Sequence, residues 1–230
     1  MQIAMMENRL MHRDQALLEV IALTPADAEA AQTGGADRLE VVTDMAADGL
    51  SPTPRMIADI RSACDIPIRA MVRTTADFTC RDRHALVGLA TDLVGAGADG
   101  LVMGFLRDGE LDPEPVHAIW DAVGRPWTCH RVVDHADDYP KALAAAADMP
   151  GADQILTAGS PKGVASGLSA VVAHVHAGPL MVGGGLAPDH VERLREAGVS
   201  AFHIGSAARR DWTSPVDSRR VAGWRAALDA

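Results

Sequence analysis

The sequence predicts a (β/α)8 barrel, a TIM-type fold whose strands are all parallel. Three observations carry that reading. Short apolar runs alternate with longer amphipathic stretches about eight times, at a mean spacing of roughly 29 residues, the pattern of repeated βα units. The second, fourth and sixth runs each follow Gly-Ala-Asp, at 35–37, 97–99 and 151–153, and the eighth follows Gly-Val-Ser at 198–200. The third, fifth and seventh runs begin instead at Pro67, Pro126 and Pro179. Glycine ends a helix in the left-handed conformation. Proline is tolerated at a strand's first residue, where no ladder hydrogen bond is lost. The alternation therefore marks pairs of βα units repeated four times.

The elements follow in order. "LLEVIA" (17–22) is the first strand, and "ALTPADAEAA" after it supplies Thr24 as helix N-cap and Pro25 at the first helical position. No G-x-G-x-x-G follows, which disfavours the alternative of a doubly wound open sheet. The remaining strands are "RLEVV" (38–42), "IRAMVR" (68–73), "GLVMGF" (100–105), "WTCHR" (127–131), "QILTA" (154–158), "PLMVG" (179–183) and "AFHIG" (201–205). No linker interrupts them. The expected organisation is one barrel domain over 1–230, with an N-terminal extension at 1–15 and a C-terminal helical segment at 208–230.

Composition narrows the function classes. With 31 acidic and 21 basic side chains the formal net charge is −10. That predicts no nucleic-acid and no membrane partner, since either calls for a basic surface. Cys64, Cys80 and Cys129 are scattered, with no CxxC pair, so neither a zinc site nor a disulfide framework is indicated. No metal ligand set is assigned. The N-terminus lacks the apolar core of a signal peptide, and a cytoplasmic homo-oligomer is expected.

An active site in such a barrel lies at the carboxyl ends of the strands. Polar residues within or just after the apolar runs are the candidates: Glu19, Glu40, Arg73, His130, Arg131, Asp134, Thr157 and His203. Buried charges need partners, and one cluster at the barrel mouth satisfies several at once. Glu19, Glu40 and Arg73 suit either a plug of salt bridges or a functional site. As chemistry, a carboxylate or imidazole would remove a proton next to a carbonyl while an arginine stabilises the oxyanion. The same residues would also cage a small anionic ligand without turnover.

Three glycines, Gly183, Gly184 and Gly185, follow the seventh strand, and Gly205 and Ser206 follow the eighth. Loops at these two strands bind phosphate through backbone N–H groups in many barrels. An anion site is expected there, with Arg209 or Arg210 adding charge.

Taken together, "LEV" (18–20), "GGADRLEV" (34–41), "DGLSPT" (48–53), "MVR" (71–73), "GADGLVMG" (97–104), His130-Arg131 with Asp134, "ILTAG" (155–159), "GGG" (183–185) and "FHIGSA" (202–207) resemble the CutC family of copper homeostasis proteins. The resemblance spans about 17–207 and implies a (β/α)8 barrel with a cytoplasmic role in copper handling. Copper enters as a cofactor by this resemblance alone. Family members commonly carry Cys just after the first "LEV" and just after the second strand's Glu-aliphatic pair, thiols proposed to ligate Cu(I). This chain has Ile21 and Val42 there, and "RTT" at 73–75 where the family has "RPR". Weak Cu(I) binding is expected, since Cu(I) selects soft sulfur ligands. The alternative is a lyase, aldolase or isomerase acting on a small phosphorylated or carboxylated metabolite.

Overall fold

The computed structural model describes residues 15–230, so nearly all of the expected N-terminal extension lies outside the described residues. Eight parallel strands close into a barrel: β1 (Leu17–Ala22), β2 (Arg38–Val41), β3 (Ile68–Met71), β4 (Gly100–Met103), β7 (Trp127–Cys129), β8 (Ala152–Thr157), β9 (Leu180–Val182) and β10 (Ala201–Ile204). Neighbours pair in sequence order, and β10 returns to β1 with Glu19 opposite His203. Between β4 and β7 a short hairpin, β5 (Leu106–Arg107) with β6 (Glu110–Leu111), stands apart from the barrel. The sequence reading missed it.

Eight helices are present among the described residues: α1 (Pro25–Thr33), α2 (Pro54–Arg61), α3 (Arg83–Gly95), α4 (Pro113–Val123), α5 (Tyr139–Ala147), α6 (Val164–Ala173), α7 (Pro188–Glu196) and α8 (Ser218–Asp229). Pro25 opens α1 as expected, with the Thr24 hydroxyl accepting from Asp27 N.

The repeat has a hydrogen-bonding cause. Gly35, Gly97, Gly151 and Gly198 all have positive φ, turning the chain from helix to strand. The aspartates after two of them reach back to the preceding strand: Asp37 accepts from Leu18 N at 2.7 Å, and Asp99 from Ile68 N at 2.9 Å. The carbonyls of Pro67, Pro126 and Pro179 accept from Leu39, Leu101 and Ile155, so each proline stitches its strand to the one before. Proline lacks a donor but keeps its acceptor.

Strand alternation sends Leu18, Val20, Leu39, Val41 and Phe202 outward into the core beneath the helices. Inside the barrel, Leu156, Met181 and Ala201 form a lower apolar cluster and Ile21, Val42, Met71 and Val102 an upper one. A register shift beside Trp127 leaves Asp153 out of the ladder, and its carboxylate pairs with buried Arg69. The runs read as 68–73, 100–105 and 127–131 leave the sheet at Met71, Met103 and Cys129. Their polar tails belong to the rim. No described helix is long and apolar enough to cross a membrane.

Candidate active site at the barrel mouth

A cavity of about 360 Å³ opens at the carboxyl ends of the strands. Of the expected site residues, Glu40, Arg73, His130, Arg131 and His203 line it, as do Gly184, Gly185, Gly205 and Ser206. Glu19, Asp134 and Gly183 lie behind this wall and act on it through neighbours.

The floor is a chain of charges. Glu19 is fully buried; it pairs with Arg38 Nε on one side and with His203 Nδ1 at 2.8 Å on the other. The second ring nitrogen, Nε2, lies 3.5 Å from Glu40 Oε2. Inward-facing strand positions put all four together: Glu19 is opposite both Arg38 and His203 in the ladders. Burial alone would raise the Glu19 pKa, but Arg38 and His203 outweigh it and hold the carboxyl low. Glu40 goes the other way. Burial, helped by the Glu19 charge and opposed by His203, pushes it up to about 7. Burial works against the His203 cation, yet Glu40 and Glu19 raise its pKa. Neighbouring carboxylates thus differ in protonation because Arg38 is paired directly with Glu19 and acts on Glu40 only weakly, from beyond ion-pair distance.

Arg38 went unrecognised in the sequence. It stands at the strand start, where a charged residue usually reaches solvent, and only the staggered β1–β2 register turns it beneath Glu19. His203, which strand alternation left free to face a helix, points inward. His130 and Arg131 reach the same cavity because the strand ends at Cys129 and a 3-10 turn, Arg131–His135, begins.

Arg73 does not join the carboxylates. Its guanidinium donates to the carbonyls of Asp48, Gly49 and Ala76 and stacks 4.4 Å from the Phe78 ring centroid. Arg131 donates through Nε to Asp134 (2.9 Å) and through Nη2 to the carbonyls of Ser160 and Pro161. Asp134 also accepts from Thr157 Oγ1 and the amides of Ala158 and Gly159, so it anchors the β8 loop and Arg131 together.

Gly183, Gly184 and Gly205 are crowded by protein, while Gly185 faces open space. A Cβ at Gly183 would meet His203 at 2.9 Å, and one at Gly205 would meet Trp212 at 2.6 Å. Among the described residues, the amides of Gly184, Gly185, Gly205 and Ser206 donate to no protein acceptor. The expected charge from Arg209 or Arg210 is not there. Arg209 is buried and paired with Asp27 and the Ile21 carbonyl, while exposed Arg210 pairs with Asp211. Lys162 and Arg131 border the cavity instead.

The family model of the CutC family matches residues 16–208. This chain belongs to the CutC family. It is 32% identical to a CutC family protein of Caulobacter vibrioides over 203 residues, covering 84% of this chain and 82% of that one. It is 30% identical to the human copper homeostasis protein cutC homolog, covering 85% and 75%. A CutC crystal structure from Streptococcus agalactiae superimposes with a TM-score of 0.74 at 23% identity, covering 84% and 99%. Phosphoribosyl anthranilate isomerase of Thermus thermophilus (TM-score 0.64, 14% identity, covering 92% and 98%) shares the fold alone.

Copper does not fit the residues this CutC chain presents. Ile21 and Val42 share the upper apolar cluster with Met71. Met181 lies in the lower one, and Cys129 faces outward into the helix-covered core. Burial pushes the Cys129 thiol up to about 12, far from the thiolate a metal needs. Among the described residues, no three His, Cys, Asp or Glu side chains form a metal-ligand group.

Proposed function

We propose that this CutC chain is an enzyme, a lyase, aldolase or isomerase in type, acting on a small phosphorylated or carboxylated metabolite at the barrel mouth. Direct copper binding is not its role. One observation carries the reading: Glu40, buried at the cavity floor, has Oε1 without a hydrogen-bond partner among the described residues and a pKa pushed up to about 7. A carboxylate poised near neutrality with a free oxygen suits proton transfer to or from a bound ligand. His203, fixed by Glu19, holds the other oxygen and offsets the charge that develops.

The anionic group of the ligand sits at the rim. Four unpartnered amides, Gly184, Gly185, Gly205 and Ser206, supply backbone donors, with Lys162 and Arg131 supplying positive charge. Charge-assisted bonds of this kind are about twice as strong as neutral ones. Three unpaired cysteines suit a reducing compartment such as the cytoplasm. Serial thermal-shift measurements with inorganic phosphate and phosphorylated or carboxylated metabolites test the reading, with copper analysis alongside. Phosphate should raise Tm and leave density between Gly184–Gly185 and Gly205–Ser206. Stoichiometric copper with no response to any anion would overturn it.

A further inference from the structure

We infer that His130 is a fixed neutral hydrogen-bond donor and that the group it receives is a carbonyl oxygen of the ligand. This rests on the proposed anion-binding enzyme and names the second functional group its substrate must carry. His130 is 4% exposed and lines the cavity. Its Nδ1 accepts from Val132 N at 3.0 Å, as the cap of the 3-10 turn that follows. An amide N–H pointing at Nδ1 requires a lone pair there, so a neutral ring carries its proton on Nε2. That Nε2 is buried and has no hydrogen-bond partner among the described residues. An unpaired buried donor is costly, and a ligand oxygen in the cavity relieves the cost.

The surroundings keep the ring neutral. The charged or titratable groups facing it are Arg73 and His135, and Phe78 packs against it with ring centroids 5.3 Å apart. Burial first, then the Arg73 charge, pushes the His130 pKa down to about 3. The imidazole is therefore neither the base nor a cationic acid. Both terminal nitrogens of Arg73 are committed to main-chain carbonyls, which leaves only its Nε to assist His130 at the oxyanion that the sequence suggested for it. A neutral donor is matched to an oxygen that gains negative charge during reaction. Glu40 takes a proton from the carbon beside the carbonyl. The C–H pair becomes a C=C bond, and the carbonyl pair moves to the oxygen held by Nε2–H. Return of the proton to carbon regenerates the carbonyl, with no oxidant, reductant or co-reactant consumed.

Two measurements on the full chain test this. Long-range ¹H–¹⁵N spectra should show His130 protonated at Nε2 only, unchanged between about pH 5 and about pH 8 where an ordinary histidine titrates. A proton on Nδ1, or titration in that window, overturns the inference. Calorimetry then compares hydroxyacetone phosphate with methallyl phosphate, in which C=CH2 replaces C=O and removes the acceptor. The carbonyl compound should bind about three- to tenfold more tightly, the worth of one neutral hydrogen bond. His130→Asn, which can still accept from Val132 N but lacks the distal donor, should erase that preference and leave inorganic phosphate binding intact. His130→Gln, which restores a distal N–H, should recover part of it. Phosphate binding without carbonyl preference sinks this inference alone. Failure of every anion to bind sinks the enzyme reading beneath it as well.

Discussion

The guanidinium of Arg131 lies against the backbone of Gly184: a Cβ at that position would fall 2.8 Å from both Cζ and Nε of the arginine. Gly184 also has φ +85°, which side chains rarely adopt. The glycine thus serves Arg131, which in turn holds Asp134 and the β8 loop.

Gly184→Ala should therefore destabilise by about 2 kcal/mol or more, combining left-handed backbone strain with displacement of Arg131. Gly185→Ala is the control, since its φ is +79° but open space surrounds the added methyl. Urea denaturation of both variants checks this. Equal losses would mean that Arg131 moves aside at no cost.

Arg38→Met leaves the fully buried Glu19 carboxylate without its strongest partner. Breaking a buried pair in this way costs about 3–5 kcal/mol. Adding Glu19→Gln removes the stranded charge, so the double variant should be more stable than Arg38→Met alone. A double-mutant cycle by chemical denaturation measures the coupling, and additive losses would count against the pairing.

Glu40 makes stability depend on pH with a definite sign. Its folded pKa, about 7, exceeds the ordinary glutamate value of 4.5, so between the two the folded chain binds more protons than the unfolded one. Stability contributed by this group falls as pH rises through that window. Glu40→Gln cannot ionise and should show a shallower decline, gaining on wild type as pH rises toward 8. The difference should reach a few kcal/mol at most. A gap that stays constant from acid to neutral pH would place the Glu40 pKa in the ordinary range.

Cu(I) affinity should be weak. Competition against a strong Cu(I) chelator measures it, and stoichiometric retention lost on Cys129→Ser would point to a substituted site. Placing thiols at the two family positions, with Ile21→Cys and Val42→Cys together, should raise affinity because both side chains sit in one cluster inside the barrel.

The barrel was legible because its repeat is written in Gly, Asp and Pro, residues whose backbone effects are local. The β5–β6 hairpin carried a signal too, Asp108-Gly109, both with positive φ, the dipeptide of a tight hairpin turn. It was passed over in the stretch between the fourth and fifth strands, because four residues of ladder hardly alter hydrophobic periodicity. Glu19, Glu40 and His203 were found as polar interruptions of apolar strands. Arg38 and the burial of Arg209 were not: the first depends on the β1–β2 register that sets Arg38 opposite Glu19, the second on Asp27, 182 residues away. Sequence spacing cannot say that Arg73 turns back onto Asp48 and Gly49 while Arg131 leans on Gly184. Those are packing outcomes.

Glu19 and His203 meet across 184 residues of chain, and Asp27 meets Arg209 across 182. Contacts of such separation form late, because loop closure must be met before they contribute. The charge relay at the floor therefore cannot assemble in an open, half-folded sheet; it appears only when the last strand docks on the first. A chain whose β10 has frayed from β1 takes His203 away from both carboxylates and leaves Glu19 with Arg38 alone. The chemistry proposed for the barrel mouth therefore depends on the closure of β10 onto β1.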